Sequence, residues 1–303
     1  MTRLVIATRR SRLALWQAEY VKARLEALHA GLAVELLPMS TRGDEVLDRS
    51  LEQVGGKGLF VKELEAAMSE GRADLAVHSM KDVPAELPPG FTLAAISARE
   101  DPRDAFVSSR YGTIAEMPAG GIVGTSSLRR AAQVSERYPS LEIKLLRGNV
   151  ETRLAKLDRG EYDAVVLAVA GLVRLGLGQR IRARLSVDES LPSPGQGALG
   201  LECLGDRPEV VKLLGSLADR DTALCVRAER AVSRALGGSC TLPLGAYAVM
   251  VDGRLTLRAL VASADGRRIV RSRAEGSDPE AVGAAAAQAL RDQGADAILQ
   301  ALR

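Results

Sequence analysis

The sequence predicts two similar α/β lobes followed by a small α+β domain. Three observations carry this. Strand and helix patterns alternate twice along the first two thirds of the chain. Gly71-Arg72-Ala73-Asp74-Leu75-Ala76-Val77 parallels Gly160-Glu161-Tyr162-Asp163-Ala164-Val165-Val166, with a helix end at Gly and an Asp before an apolar strand in each. Near the C-terminus, Asp252-Gly253 and Asp265-Gly266 separate three strand-like runs, as hairpin turns do.

In the first lobe, residues 4–8 read as a strand and 11–28 as a helix with Leu13, Trp16, Tyr20, Leu25 and Leu28 at helical spacing. A strand at 34–39 follows, then a glycine-rich stretch, a helix at 59–68 and a buried strand at 73–78. The second lobe repeats the plan, with strands at 121–124, 141–146 and 162–168 and helices at 127–138 and 150–158. Such alternation predicts parallel sheets with helices on both faces and a cleft between the lobes. Residues 100–104 read as the linker between the lobes, and Pro192 and Pro194 mark where the second lobe closes. Residues 198–203 form one more strand, returning to the first lobe. The division is therefore 1–98 with 198–216, 102–193, and 218–303. In the last domain a helix at 221–236 precedes strands at 244–251, 254–262 and 268–273, and Ser277-Asp278-Pro279-Glu280 caps an alanine-rich helix.

Composition excludes several classes. The longest apolar run, residues 164–173, is too short to span a bilayer. The N-terminus has no cleavage-site pattern, which points to the cytoplasm. Cys203, Cys225 and Cys240 lack metal-ligand spacing, and with two histidines in the chain no metal site is expected. A net charge of +3 and 3% aromatics argue against nucleic acid. Of the 41 basic residues only seven are Lys, which leaves 34 Arg. Arg grips carboxylates bidentately and keeps its charge in a cleft, although most arginines in any chain are solvated surface.

Local clustering sharpens that reading. Gly124-Thr125-Ser126-Ser127-Leu128-Arg129-Arg130 sets hydroxyls at a helix N-terminus, where free N–H groups and the helix dipole attract anions. An ordinary N-cap with two solvated arginines explains one such motif equally well. Arg9 and Ser11 repeat the pattern, and Arg147 and Arg153 flank the turn Gly148-Asn149. Three such turns, each after a predicted strand, favour a polyanion site. His78-Ser79-Met80-Lys81-Asp82-Val83-Pro84 also follows a buried strand. It reads as a turn, or as a carboxylate that stabilises a cation or delivers a proton. Gly195-Gln196-Gly197-Ala198-Leu199-Gly200 fits a dinucleotide pattern but follows prolines and precedes a strand, so it reads as a hinge. Gly55-Gly56-Lys57-Gly58 lacks the Walker A spacing and reads as a mobile loop whose Lys57 can swing over a cleft. Cys240 sits in a glycine-flanked loop and is a candidate reactive thiol, whereas Cys203 and Cys225 have apolar neighbours and suit burial.

Ala7-Thr8-Arg9, the 78–84 and 124–130 motifs, Leu146-Arg147-Gly148-Asn149 and Gly238-Ser239-Cys240 together resemble the porphobilinogen deaminase (hydroxymethylbilane synthase) family, in order and over nearly the whole chain. The resemblance implies two periplasmic-binding-protein-like lobes and a transferase of tetrapyrrole biosynthesis. Four porphobilinogen units are joined head to tail with loss of ammonia, and hydroxymethylbilane is then released by hydrolysis. The implied cofactor is a dipyrromethane in thioether linkage to Cys240. Asp82 matches the catalytic carboxylate, which holds pyrrole N–H groups and stabilises the azafulvene cation. Ser79, Lys81, Asp82, Thr125, Ser127, Arg129 and Arg130 match cofactor-binding positions. Arg9, Ser11, Arg147, Arg153 and Arg174 match positions for substrate carboxylates or the growing polypyrrole, and Gln196 a position near the incoming pyrrole. The resemblance also implies a monomer, while composition argues against nucleic acid or membrane as partner. Val5, Arg12 and Ser239 depart from residues common in the family, namely Arg, Pro and Gly. A binding module closing on a small anion is the rival reading, since fold does not fix function.

Overall fold

The computed structural model describes residues 2–41, 61–237 and 242–302. The chain divides into two compact units, residues 1–100 with 198–223, and 101–197 with 224–303. The first four strands are β1 (Arg3–Arg9), β2 (Ala33–Met39), β3 (Leu75–Ser79) and β4 (Phe91–Ile96), with helices α1 (Arg12–Leu28) and α2 (Lys62–Ser69). Then come β5 (Asp104–Val107), β6 (Ile122–Thr125), α3 (Leu128–Arg137), β7 (Glu142–Leu145) and α4 (Val150–Asp158). They are followed by β8 (Ala164–Ala168), α5 (Val169–Arg174), β9 (Ala183–Leu185), β10 (Leu199–Leu204) and α6 (Pro208–Gly215).

The first unit holds a sheet of order β2-β1-β3-β10-β4. β1 pairs in parallel with β2 and β3, while β10 runs antiparallel to β3 and β4. Alternating side chains of β1 go to opposite faces. Leu4 and Ile6 join Val21 and Leu25 of α1 in one core, and Ala7 joins Leu64 and Met68 of α2 in another. Both faces are thus covered, as parallel strands require.

The second unit repeats the plan with the order β7-β6-β8-β5-β9. β6 is parallel to β7 and β8, and β5 is antiparallel to β8 and β9. In each sheet, therefore, three parallel strands are followed by one antiparallel strand that has just crossed from the other unit. The purely parallel sheets expected from the alternation are mixed instead. The matched aspartates explain the internal similarity. Asp74 Oδ2 accepts from Val5 N at 2.8 Å, and Asp163 Oδ2 accepts from Ile122 N at 2.7 Å. Each aspartate, just before β3 or β8, ties that strand's start to the neighbouring parallel strand, β1 or β6.

The same unit contains helix α7 (Arg220–Ala235) from residue 224 onward, and strands β11 (Leu244–Val251), β12 (Arg254–Ala262) and β13 (Ile269–Gly276), antiparallel in that order. Asp252 and Gly253 both have positive φ, 48° and 75°, the backbone of a two-residue type I′ hairpin. Asp265-Gly266 lies in a longer loop. Asp278 caps helix α8 (Pro279–Asp292), accepting from Ala281 N at 2.7 Å. With α9 (Ala295–Gln300), this helix buries its alanine face against the sheet.

The expected linker at 100–104 ends sooner than predicted. Asp104 is the first residue of β5 and is fully buried. Proline and acidic residues look like open loop, but a four-residue strand offers too short a pattern to contradict them.

Candidate active site

In the first unit, parallel β1 and β3 end at the same edge of the sheet. Arg9 closes β1, and Ser11 caps α1 by accepting from Ala14 N at 3.4 Å. Ser79 closes β3 and accepts from Gln17 Nε2 of α1 at 2.8 Å. The chain then makes a single 3-10 turn, Met80–Asp82. Met80 is buried, and its N–H donates to Ala198 O at 3.0 Å. A side chain at Gly200 would meet Met80 Sδ at 2.9 Å, so the glycine lets β10 pack directly against this turn. Lys81 and Asp82 are held half-buried on a turn anchored from both sides.

Beneath the turn, His78 Nε2 lies 2.8 Å from Glu202 Oε2, with both side chains buried. Glu202 Oε1 and Glu65 Oε1 are buried without a hydrogen-bond partner. Burial pushes the Glu65 carboxyl up, and the charge of Glu202 adds to the effect. Sequence reasoning did not single out Glu202. Its signal was available: a carboxylate within an otherwise apolar strand needs a partner.

In the second unit, Thr125 closes β6 and accepts from Ser127 N at 3.2 Å. Ser127 caps α3, accepting from Arg130 N at 3.4 Å. The next residues depart from expectation. Arg129 and Arg130 are only 2% and 5% exposed, so the alternative of two solvated arginines is wrong. Both guanidinium groups converge on Asp104. Arg129 Nη1 donates to Oδ2 at 2.8 Å and Arg130 Nη2 to Oδ1 at 2.7 Å. Arg129 also reaches Leu191 O at 2.6 Å, and Arg130 reaches Val166 O at 3.1 Å. Gln196 Nε2 donates to Asp104 Oδ1 at 2.9 Å and to Pro102 O at 2.7 Å. The two guanidinium groups hold the Asp104 carboxyl far below its usual range against the opposing effect of burial. Burial in turn lowers the pKa of Arg129.

Asn149 caps α4, accepting from Thr152 N at 2.9 Å, and Arg153 Nε donates to Gly148 O at 2.7 Å. Arg147 is half-buried, and desolvation lowers its pKa. Arg174 ends α5 and donates to Gly197 O at 2.6 Å. Cys203 and Cys225 are buried, and burial pushes the Cys203 thiol up to about 11, which makes it unreactive. Lys57 and Cys240 lie outside the described residues. Among the described residues no group of three or more His, Cys, Asp or Glu is placed to hold a metal ion. None of the described helices is long and apolar enough to cross a membrane.

The second unit therefore sets two buried cations against one carboxylate. One positive charge is uncompensated within this triad, and Arg129 Nε is buried without a hydrogen-bond partner. That donor set fits a carboxylate-bearing cofactor.

Comparison with known proteins points the same way. Residues 4–212 match the family model for the dipyrromethane cofactor binding domain of porphobilinogen deaminase, and residues 223–292 match that for its C-terminal domain. The chain is 60% identical to porphobilinogen deaminase of Thiobacillus denitrificans, covering 100% of this chain and 99% of that one. It is 57% identical to the Chromobacterium violaceum protein of the same name, covering 100% and 98%. Among solved structures, the methionine binding protein MetQ aligns at 13% identity with a TM-score of 0.47, covering 73% of this chain and 91% of that one. A likeness of that grade says nothing about function. The full-length identities and the two consecutive domain matches place this chain in the porphobilinogen deaminase family.

Proposed function

We propose that this chain, as a porphobilinogen deaminase, joins four porphobilinogen molecules head to tail on a dipyrromethane primer carried by Cys240. It releases ammonia at each addition and then frees hydroxymethylbilane by hydrolysis. The observation that carries the reading is the buried arginine pair with its uncompensated charge, in a chain of this family. When bound, the dipyrromethane supplies the pyrrole carbon to which the next unit is joined.

The residues of the chain do the rest. Arg129 and Arg130 hold a cofactor carboxylate in a buried setting, where each charge-assisted bond is stronger than in water. Ser79, Lys81, Thr125 and Ser127 complete the cofactor contacts. Asp82 accepts hydrogen bonds from pyrrole N–H groups, assists departure of the amine and stabilises the cation left behind. Its anchored turn keeps the carboxylate fixed while charge develops, so little reorganisation is needed. Arg9, Ser11, Arg147, Arg153 and Arg174 bind the acetate and propionate groups of incoming and joined pyrroles, and Gln196 stands near the incoming pyrrole. An elongating chain gains two carboxylates per unit, so it needs more cations than a single substrate would. The C-terminal residues 218–303 form a third domain carrying Cys240. The protein is a cytoplasmic monomer with neither nucleic acid nor membrane as partner, and light scattering on the purified chain tests the monomer.

The direct test is turnover. The parent consumes porphobilinogen and yields hydroxymethylbilane with ammonia. Asp82→Asn lowers kcat by roughly 10²–10⁴-fold, the range for losing a positioned acid–base group. An Asp82→Asn variant within twofold of the parent would show that the carboxylate is elsewhere.

A further inference from the structure

Asp104 matches none of the motifs, yet its side chain is fully buried and both oxygens are occupied. Oδ1 accepts from Arg130 Nη2 at 2.7 Å, Arg130 Nε at 2.9 Å, Gln196 Nε2 at 2.9 Å and Arg129 Nη2 at 3.3 Å. Oδ2 accepts from Ser190 Oγ at 2.7 Å and Arg129 Nη1 at 2.8 Å. Those partners are themselves buried, none more than 5% exposed.

We infer that Asp104 is a positioning residue for the cofactor, fixing the two guanidinium planes and setting the charge they present to a carboxylate. This rests on the reading that Arg129 and Arg130 bind the dipyrromethane. Three features support it. The first is orientation. Arg130 meets Asp104 edge-on through Nε and Nη2 and spends Nη1 on Val166 O, so its plane is locked. Arg129 meets Asp104 through its Nη groups, which leaves its Nε–H buried and unpartnered. The second is charge. Two adjacent buried guanidinium groups repel, and one carboxylate between them leaves a single surplus positive charge. That surplus suits a monoanionic carboxylate, whereas the bare pair would favour a dianion such as phosphate. The third is attachment. The same network grips Pro102 O through Gln196 and Leu191 O through Arg129, so the segments on either side of the second sheet fix where the arginines sit.

The experiment compares the parent with Asp104→Asn. Circular dichroism and a melting curve report folding, and intact mass reports the fraction carrying the dipyrromethane. In a Cys240→Ser background, inorganic phosphate is the probe, read as a shift in melting temperature. A folded Asp104→Asn chain is expected to carry at least tenfold less adduct, and its Cys240→Ser form to be stabilised more by phosphate than the parent's. A folded Asp104→Asn chain with full loading and the parent's phosphate response would overturn the inference. Should Asp104→Asn not fold, Ser190→Ala decides. It removes one bond to Asp104 Oδ2 and is expected to slow adduct formation from porphobilinogen severalfold, and the parent's rate would overturn the inference. Arg129→Gln and Arg130→Gln separate the two levels. If both load normally, the reading of the arginines fails, and this inference fails with it. If both lose the adduct while folded Asp104→Asn keeps it, only the role of Asp104 falls.

Discussion

The two strands that cross between the units, β10 and β5, occupy the same place in their sheets, and each carries a buried carboxylate. The carboxylates are held in different ways. Asp104 on β5 is satisfied at both oxygens by two arginines, a serine and a glutamine. Glu202 on β10 has one bonded oxygen, toward His78, and one without a partner. Two guanidinium groups hold the Asp104 carboxyl far below its usual range, whereas burial and the charge of Glu202 push the neighbouring Glu65 carboxyl up. A shared topology thus supports a lowered carboxylate in one sheet and a raised carboxyl packed beside the other.

The comparison breaks most visibly at Asp104. Asp104→Ala strands two buried cations and is expected to cost about 3–5 kcal/mol, seen as a lower urea midpoint. A loss below 1 kcal/mol would mean that the arginines find other partners. Glu202→Ala removes the hydrogen-bonded partner of the His78 Nε2 atom and is expected to cost less, about 1–3 kcal/mol. An effect equal to that of Asp104→Ala would erase the distinction.

The Glu65 carboxyl sharpens the contrast by its sign. Burial raises the Glu65 carboxyl above its unfolded value, Glu202 and Glu63 raise it further, and His78 and Lys62 oppose. The folded chain therefore holds this proton more tightly than the unfolded chain, and stability falls as pH rises from the unfolded pKa through the folded one. Glu65→Gln removes that penalty. It is expected to raise the melting temperature at pH 8 and to leave it unchanged at pH 4, and an equal shift at both would rule out titration. Asp104 has the opposite sign. Its depressed pKa contributes stability that is complete above the unfolded carboxylate pKa and is lost only in strong acid. The smallest expected effect is that of Ser190→Ala, about 0.5–1.5 kcal/mol for one hydrogen bond in a network that keeps its charges.

Local signals in the sequence were legible where the structure they encode is local. Ser11, Ser127 and Asp278 cap helices, and Asp252-Gly253 makes a two-residue turn. The repeat at residues 71–77 and 160–166 was legible because Asp74 and Asp163 perform the same backbone task. The crossing strands were harder. β10 was visible as an apolar run, but its antiparallel placement was not. β5 has four residues, and Asp104 finds its partners 25, 26, 86 and 92 positions away. For the same reason Arg129 and Arg130 were legible as cations at a helix start, but not as buried ones. No pattern within the helix reveals a carboxylate that arrives from another strand.

The central claim is a primer held covalently on Cys240, and the mass of the intact protein tests it most directly. The purified parent is predicted to be heavier than its sequence by two linked pyrrole units, and a Cys240→Ser variant to show the sequence mass alone. A parent at its bare sequence mass, unchanged after incubation with porphobilinogen, would contradict the account.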